Sequence, residues 1–273
     1  MSSRIAQALI ALLALPALVL PAAILGYILM RGLPGLGRIF SADEAAGFGL
    51  GEGLTGQIAG SLLLTTGACL VAAPVALGLA VWLHLRQSDA NRPWLTLLHL
   101  LQGIPPIVYG LWGLAVFVHL LHWGVSLLAG ILILAAVILP MLTLGSLDAL
   151  ARIPPERTEA ARALGLSDSA IVARVWLPGA GTGLATGLLL AMARTLSETA
   201  PILFTATVFS GIIWPDSWFS PVTTLQTHIF YLAQEGVDPR AIDNAWAAAV
   251  VLIGLVLTFS LTALWLRRLG GRK

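Results

Sequence analysis

The 273-residue chain is 58% hydrophobic and only 10% charged, with a net charge of +2, where a soluble domain carries about 25% charged residues. So few charges cannot cover a water-facing globule, which excludes an ordinary soluble protein and points to a surface that faces lipid. The lone Cys69 lies in an apolar stretch, which excludes an intrachain disulfide and a cysteine-based zinc site; it is expected as a small buried packing residue.

A helix needs about 20 apolar residues to cross the hydrocarbon core. Residues 5–30 hold no Asp, Glu, Lys or Arg and predict the first span. Arg4 ahead of an apolar run would suit a signal peptide, but the run exceeds the about 7–15 residues of such a segment, so an uncleaved anchor is expected. The Gly-rich stretch 31–60, with Asp43, Glu44 and Glu52, is expected as an outer connector with some surface helix. Span two is predicted over 61–83, with Pro74 and Gly78 as points of bending or breakage.

Residues 93–147 form 55 positions without an acid, Lys or Arg. At about 1.5 Å per residue this is far too long for one crossing, so the chain must fold back. His119 to Gly124, with two imidazoles, a Trp and a Gly, is the natural turn. Span three is placed over 98–118, with bends at Pro105 and Pro106, and span four over 126–145. Span five covers 183–208 and span six 245–266, ending at Arg267 and Arg268. Six spans put both termini on one side. That side holds Arg4, Arg86, Arg92, Arg152, Arg157, Arg162, Arg174, Arg267, Arg268, Arg272 and Lys273, against Arg31, Arg38 and Arg240 on the other. Basic residues collect on the cytoplasmic side, so both termini and the loop 146–178 are expected there.

The organisation is therefore all-α and integral to the membrane. A first helix with its outer loop occupies 1–60, a transmembrane domain 61–266, and a basic cytoplasmic tail 267–273. In the outer loop 209–244, Trp214, Trp218 and Phe219 suit the bilayer interface, with docking of an external partner as the sharper option, and 222–234 reads as a short apolar helix.

The inner loop has its own helical grammar. Pro154-Pro155-Glu156 starts a helix, with an acid at the positive dipole end. That helix should stop at Gly165, and Ser167 caps a second one carrying Ile171, Val172 and Val175 on one side, with Pro178 either ending it or marking the approach to span five. Two short helices in an L are expected. Joined rigidly to two spans, such a unit can act as a lever, with Ala160 and Ala161 permitting close approach; the plainer alternative is a cap on the bundle.

In span five, Arg194 and Glu198 lie four residues apart and share a helix face. Gly187, Arg194, Glu198, Pro201 and Thr205 plot as one stripe, so the charges should face protein or water rather than lipid. Pro201 leaves the Ser197 carbonyl without its helical donor and predicts a local bend. Arg194 is expected to line a translocation route and attract an anion, with Ser197 and Thr205 beside it and Glu198 as its partner between transport events. A structural Arg–Glu pair joining two subunits is the alternative. Gly179, Gly183 and Gly187 are expected as a packing stripe. The five histidines show no ligand spacing for a metal, and neither a phosphate-binding Gly-x-x-x-x-Gly-Lys loop nor a basic patch for nucleic acid is present.

Glu159-Ala160-Ala161, then Gly165, then Val175-Trp176-Leu177-Pro178 resemble the cytoplasmic loop of bacterial ABC-importer permeases, with Val in place of Ile. Ala193-Arg194-Thr195-Leu196-Ser197-Glu198-Thr199-Ala200-Pro201 is similar to the fifth-span run of the phosphate-importer permeases, with Ser197 for Gly. The stretch from Gln102 to Gly113 resembles their third span, with Pro106 for Ser. Within that family the chain is more similar to the PstA type. The resemblance covers spans two to six. It implies a type I importer fold in a bacterial inner membrane, a permease without enzymatic activity, and coupling through Glu159, Ala160, Ala161, Gly165, Leu177 and Pro178. It also implies partners: a sister permease, two copies of an ATPase that holds the ATP and magnesium, and an external phosphate-binding protein. Other oxyanions such as sulfate, molybdate or phosphonate are the nearest alternative cargo. A secondary transporter would leave the loop motif unexplained, and an intramembrane enzyme would have only Ser197 and scattered histidines to work with.

Overall fold

The computed structural model describes residues 3–38, 53–86, 89–208, 214–235 and 239–270. Asp43, Glu44 and Glu52 of the outer connector, residues 209–213 of the outer loop, and Arg272 and Lys273 lie outside them. The regular structure among the described residues is helical, joined by turns and irregular stretches such as 121–126 and 214–224, apart from one isolated bridge between Thr207 and Val222. Helix α1 is Ser3–Gly32, followed by a 3-10 turn, and α2 is Thr55–Arg86. Helices α3, Arg92–Gly103, and α4, Pro106–Gly113, meet at a 90° bend; a π-helical stretch continues α4 to Leu120. Next come α5, Leu127–Ala151, α6, Pro155–Ala163, and α7, Asp168–Ile171. Helices α8, Leu177–Leu196, and α9, Ala200–Thr205, make up span five; α10 is Leu225–Glu235 and α11 Pro239–Gly270.

Among the described residues five helices are long and apolar enough to cross a membrane, and the bent α3–α4 pair makes a sixth span if it crosses as one. Packing decides that the pair does cross. Ala80 near the end of α2 clusters with Ala149 and Leu150 near the end of α5, whereas Leu64 near the start of α2 clusters with Leu127 and Ile131 at the start of α5. The two helices therefore run parallel, and the chain between them must return from one face of the bundle to the other. The remaining helices alternate accordingly. Gly270 at the end of α11 abuts Thr182 near the start of α8, and Gly32 at the end of α1 abuts Trp246 near the start of α11. The end of α11 thus lies at the same face of the bundle as α6, and α1 starts from that face.

Three differences from the sequence expectation have physical causes. Helix α2 continues unbroken through Pro74 and Gly78, because Ala68, Ala72, Ala76 and Ala80, spaced by four and fully buried, pack one seam of the core. Small residues let two backbones approach along the whole seam, and a single lost donor does not undo it. Adjacent Pro105 and Pro106 remove two consecutive donors, and there the helix breaks. Second, α7, with Pro178 marking the approach to span five, is not closed off as a short helix. It passes through a π-helical turn, Val172–Trp176, straight into α8. The wider turn comes just before Pro178, which supplies no N–H, so the chain absorbs the proline without ending. Third, α11 runs past Arg267 and Arg268, where span six is expected to end, as far as Gly270.

From Leu12 to Tyr27 the surface of α1 is exposed, as a lipid-facing helix requires. At the end of the bundle where α5 begins, a chain of rings joins Trp112, Phe117, Trp123 and Phe219. Next to it the end of α9 and the outer segment supply acceptors for the first amides of α5: the N–H groups of Ser126, Leu127 and Leu128 donate to the carbonyls of Thr205, Ser220 and Trp218 at 2.8–2.9 Å. Those amides have no partner within their own helix.

Candidate functional site

The loop that follows α5 is built from short-range chemistry. Helix α6 starts after Pro154, with Pro155 in its first turn and Glu156 beside the dipole's positive end. It ends in a Schellman motif: the Gly165 N–H donates to Arg162 O at 2.9 Å and the Leu166 N–H to Ala161 O at 3.2 Å. The motif needs a left-handed residue, and Gly165 has φ +76°. The Ser167 hydroxyl then accepts the Ala170 N–H at 3.4 Å and caps α7.

The two faces of α6 differ. Ala161 is buried against Ile171, Trp176 and Ala180, while Glu159, Ala160 and Leu164 point outward, Leu164 at 81% exposure. A cleft of about 620 Å³ runs between Arg157, Ala160, Leu164, Arg174 and Pro178. Trp176 braces the unit. Its indole N–H donates to the Thr158 hydroxyl at 3.0 Å, and its ring meets His84 at the end of α2 edge-on at 4.6 Å. Leu177 and Pro178 open α8, so α6, the end of α2 and the base of span five form one bracket. Neither Trp176 nor His84 carries a spacing signal that singles it out in the sequence.

The second site is at mid-span. Arg194 Nη2 lies 2.8 Å from Glu198 Oε1, with the arginine side chain 50% exposed and the glutamate 10%. The guanidinium borders a cavity of about 210 Å³ whose other walls include Gln102, Ile104, Pro106, Tyr109 and Met141. Pro105 leaves the Leu101 carbonyl without its regular donor. The Tyr109 hydroxyl donates to that carbonyl across the bend at 2.9 Å, and the Ile104 N–H at 3.3 Å.

Span five also breaks. Beyond Leu196 the Ser197 and Glu198 amides turn back to Arg194 O and Thr195 O at 2.9 and 3.1 Å, and α9 starts with Pro201 in its first turn. The break rotates the predicted stripe. Ser197 is exposed and its hydroxyl donates to Ala193 O, but Thr205 is fully buried beside Gly113 of α4, its hydroxyl donating to Pro201 O. Thr205 is therefore corrected from a wall of the route to a packing residue. Of the glycine stripe, Gly183 packs on Ala149 and Gly179 on Ile153, while Gly187 faces open space. No spacing in the sequence marks Gln102 and Tyr109 as site residues; their neighbourhood to Arg194 depends on the bend.

Residues 72–272 match the family described as the binding-protein-dependent transport system inner membrane component. The chain is 30% identical over 256 residues to the probable ABC transporter permease protein YqgI of Bacillus subtilis, covering 88% of this chain and 86% of that protein. It is 30% identical over 241 residues to the phosphate transport system permease protein PstA of Xylella fastidiosa, covering 86% and 82%. Among solved structures, a bacterial ABC transporter involved in the import of the acidic polysaccharide alginate superposes with a TM-score of 0.66 at 17% identity, covering 98% of this chain and 95% of that one.

Proposed function

Given that this chain belongs to the family of binding-protein-dependent transport system inner membrane components, and is thus a multi-pass, non-enzymatic permease subunit of an ABC importer, we propose that its cargo is inorganic phosphate. The observation that carries the cargo is Arg194. An intramembrane guanidinium is half exposed on a polar-lined cavity while its counter-ion is buried. Similarity to the PstA protein of Xylella fastidiosa supports the same cargo.

A guanidinium has five N–H donors in a planar fork, and Glu198 engages one edge. The other edge suits two oxygens of a tetrahedral oxyanion. A charge at this depth costs about 2.5–3.5 kcal/mol when unpaired, so Glu198 stabilises the empty site. An incoming anion competes with that carboxylate, which keeps affinity low enough for release. Work enters through α6, whose exposed Glu159, Ala160 and Leu164 face seats on a separate ATPase. Gly165, Leu177 and Pro178 carry the displacement into span five. ATP and magnesium are held by two ATPase copies, a sister permease completes the route, and an external binding protein delivers the anion at the plasma membrane of a bacterium.

The test is reconstitution with those partners in liposomes. ATP-dependent uptake of labelled phosphate, competed poorly by sulfate, molybdate and phosphonate, is the expected result. Preferential uptake of one of those competitors would overturn the cargo.

A further inference from the structure

We propose that Gln226 of α10 is a positioning residue for the Arg194–Glu198 pair, holding the break in span five from the outer segment. The proposal rests on the reading that this pair serves the cargo.

The start of α10 is set into the bundle by polar contacts. The Thr224 hydroxyl accepts the Thr227 N–H at 3.3 Å, and the Ser61 hydroxyl of α2 accepts the Leu225 N–H at 2.9 Å. Two of the orphan amides of a helix start are filled in this way. Gly60 makes the approach possible, since a β-carbon there would run into the Thr223 carbonyl. Gln226 then bridges outward from this anchor. Its Oε1 accepts the Ser61 O–H at 3.0 Å, and its Nε2 donates to the Leu196 carbonyl at 2.7 Å. The amide has one orientation only: a carbonyl cannot donate, so Nε2 must face Leu196.

Leu196 closes α8, immediately before the break. In an unbroken helix its carbonyl would take the Ala200 N–H; here a side chain thirty residues away in sequence takes that role. Gln226, Ser61, Thr224 and Thr227 are all buried, where an unsatisfied carbonyl costs about 1–3 kcal/mol. Arg194 lies two residues before the capped carbonyl and Glu198 two after it. The cap therefore fixes the stretch across which the ion pair forms, with Glu198 turned inward and Arg194 turned to the cavity.

The test is a double-mutant cycle in the reconstituted complex. Gln226→Met keeps the side-chain volume and removes both polar atoms. It is expected to lower the phosphate uptake rate about tenfold at unchanged abundance. In a Glu198→Gln background, where the ion pair is already gone, it is expected to add less than about twofold. Ser61→Ala, which removes both the donor to Oε1 and the acceptor of the Leu225 N–H, should show the same dependence at about threefold. A residue that merely stabilised the bundle would lose the same factor in both backgrounds, and that result overturns the proposal. Hydrogen exchange supplies a readout independent of cargo. The amides of 195–199 should exchange about tenfold faster in Gln226→Met, and unchanged exchange overturns the proposal as well. If the unmodified complex imports another oxyanion and not phosphate, only the cargo reading fails, and the same cycle run with that anion still decides the role of Gln226.

Discussion

Arg194 can be interrogated by separating its charge from its shape. Arg194→Lys keeps the charge and loses the planar fork, so phosphate uptake should fall about tenfold. Arg194→Gln loses the charge and leaves Glu198 as an unpaired acid inside the bundle; there the loss should reach about 100-fold. Initial uptake rates at matched abundance check both, and a normal rate for Arg194→Gln would end the assignment of this residue to the route. Two charges four apart in an otherwise apolar run are visible in a sequence because their spacing and their cost in lipid are local properties. The fate of Thr205 was not visible. A stripe drawn at 100° per residue assumes an unbroken helix, and the turn at Ser197 to Thr199 resets the angle before Thr205 is reached. Gln226 was silent for a related reason: its partner carbonyl is thirty residues away, and no periodicity reports such a pair.

At the scale of the elements, the bracket at the base of span five depends on the sharp end of α6. Gly165 has φ +76° and open space around its α-carbon, so a larger side chain meets no neighbour and the whole penalty is backbone strain. Gly165→Val should cost about 1–2 kcal/mol at that turn, which loosens the Schellman bonds without unfolding the spans. Assembly with the ATPase is then retained, while the ATP hydrolysed per phosphate imported rises about tenfold. Hydrolysis and uptake measured on the same liposomes check it, and an unchanged ratio would remove α6 as the lever. This turn was legible because a helix stop needs only a glycine and its neighbours. The run from α7 into α8 is legible only as one of two roles for Pro178, because the π-helical turn that lets the proline pass depends on how Trp176 is seated between Thr158 and His84.

For the whole molecule, the parallel run of α2 and α5 is the constraint from which the rest follows. It forces the bent α3–α4 pair to cross, and it places α6, the start of α1 and the end of α11 at one face of the bundle. The basic residues then choose which face is cytoplasmic: Arg86, Arg92, Arg152, Arg157, Arg162, Arg174, Arg267 and Arg268 all belong to the α6 end. With Cys69→Ala as background, Ser169→Cys at the exposed start of α7 should resist a membrane-impermeant thiol reagent in intact cells and react after permeabilisation. Ser217→Cys, on the outer segment beside exposed Trp218, should react in intact cells. Both substitutions are conservative in size and lie outside the buried core, so the labelling reports position rather than damage. Ser169→Cys reacting from outside would invert the molecule. It would separate α6 from any cytoplasmic ATPase and remove the route by which hydrolysis could reach Arg194.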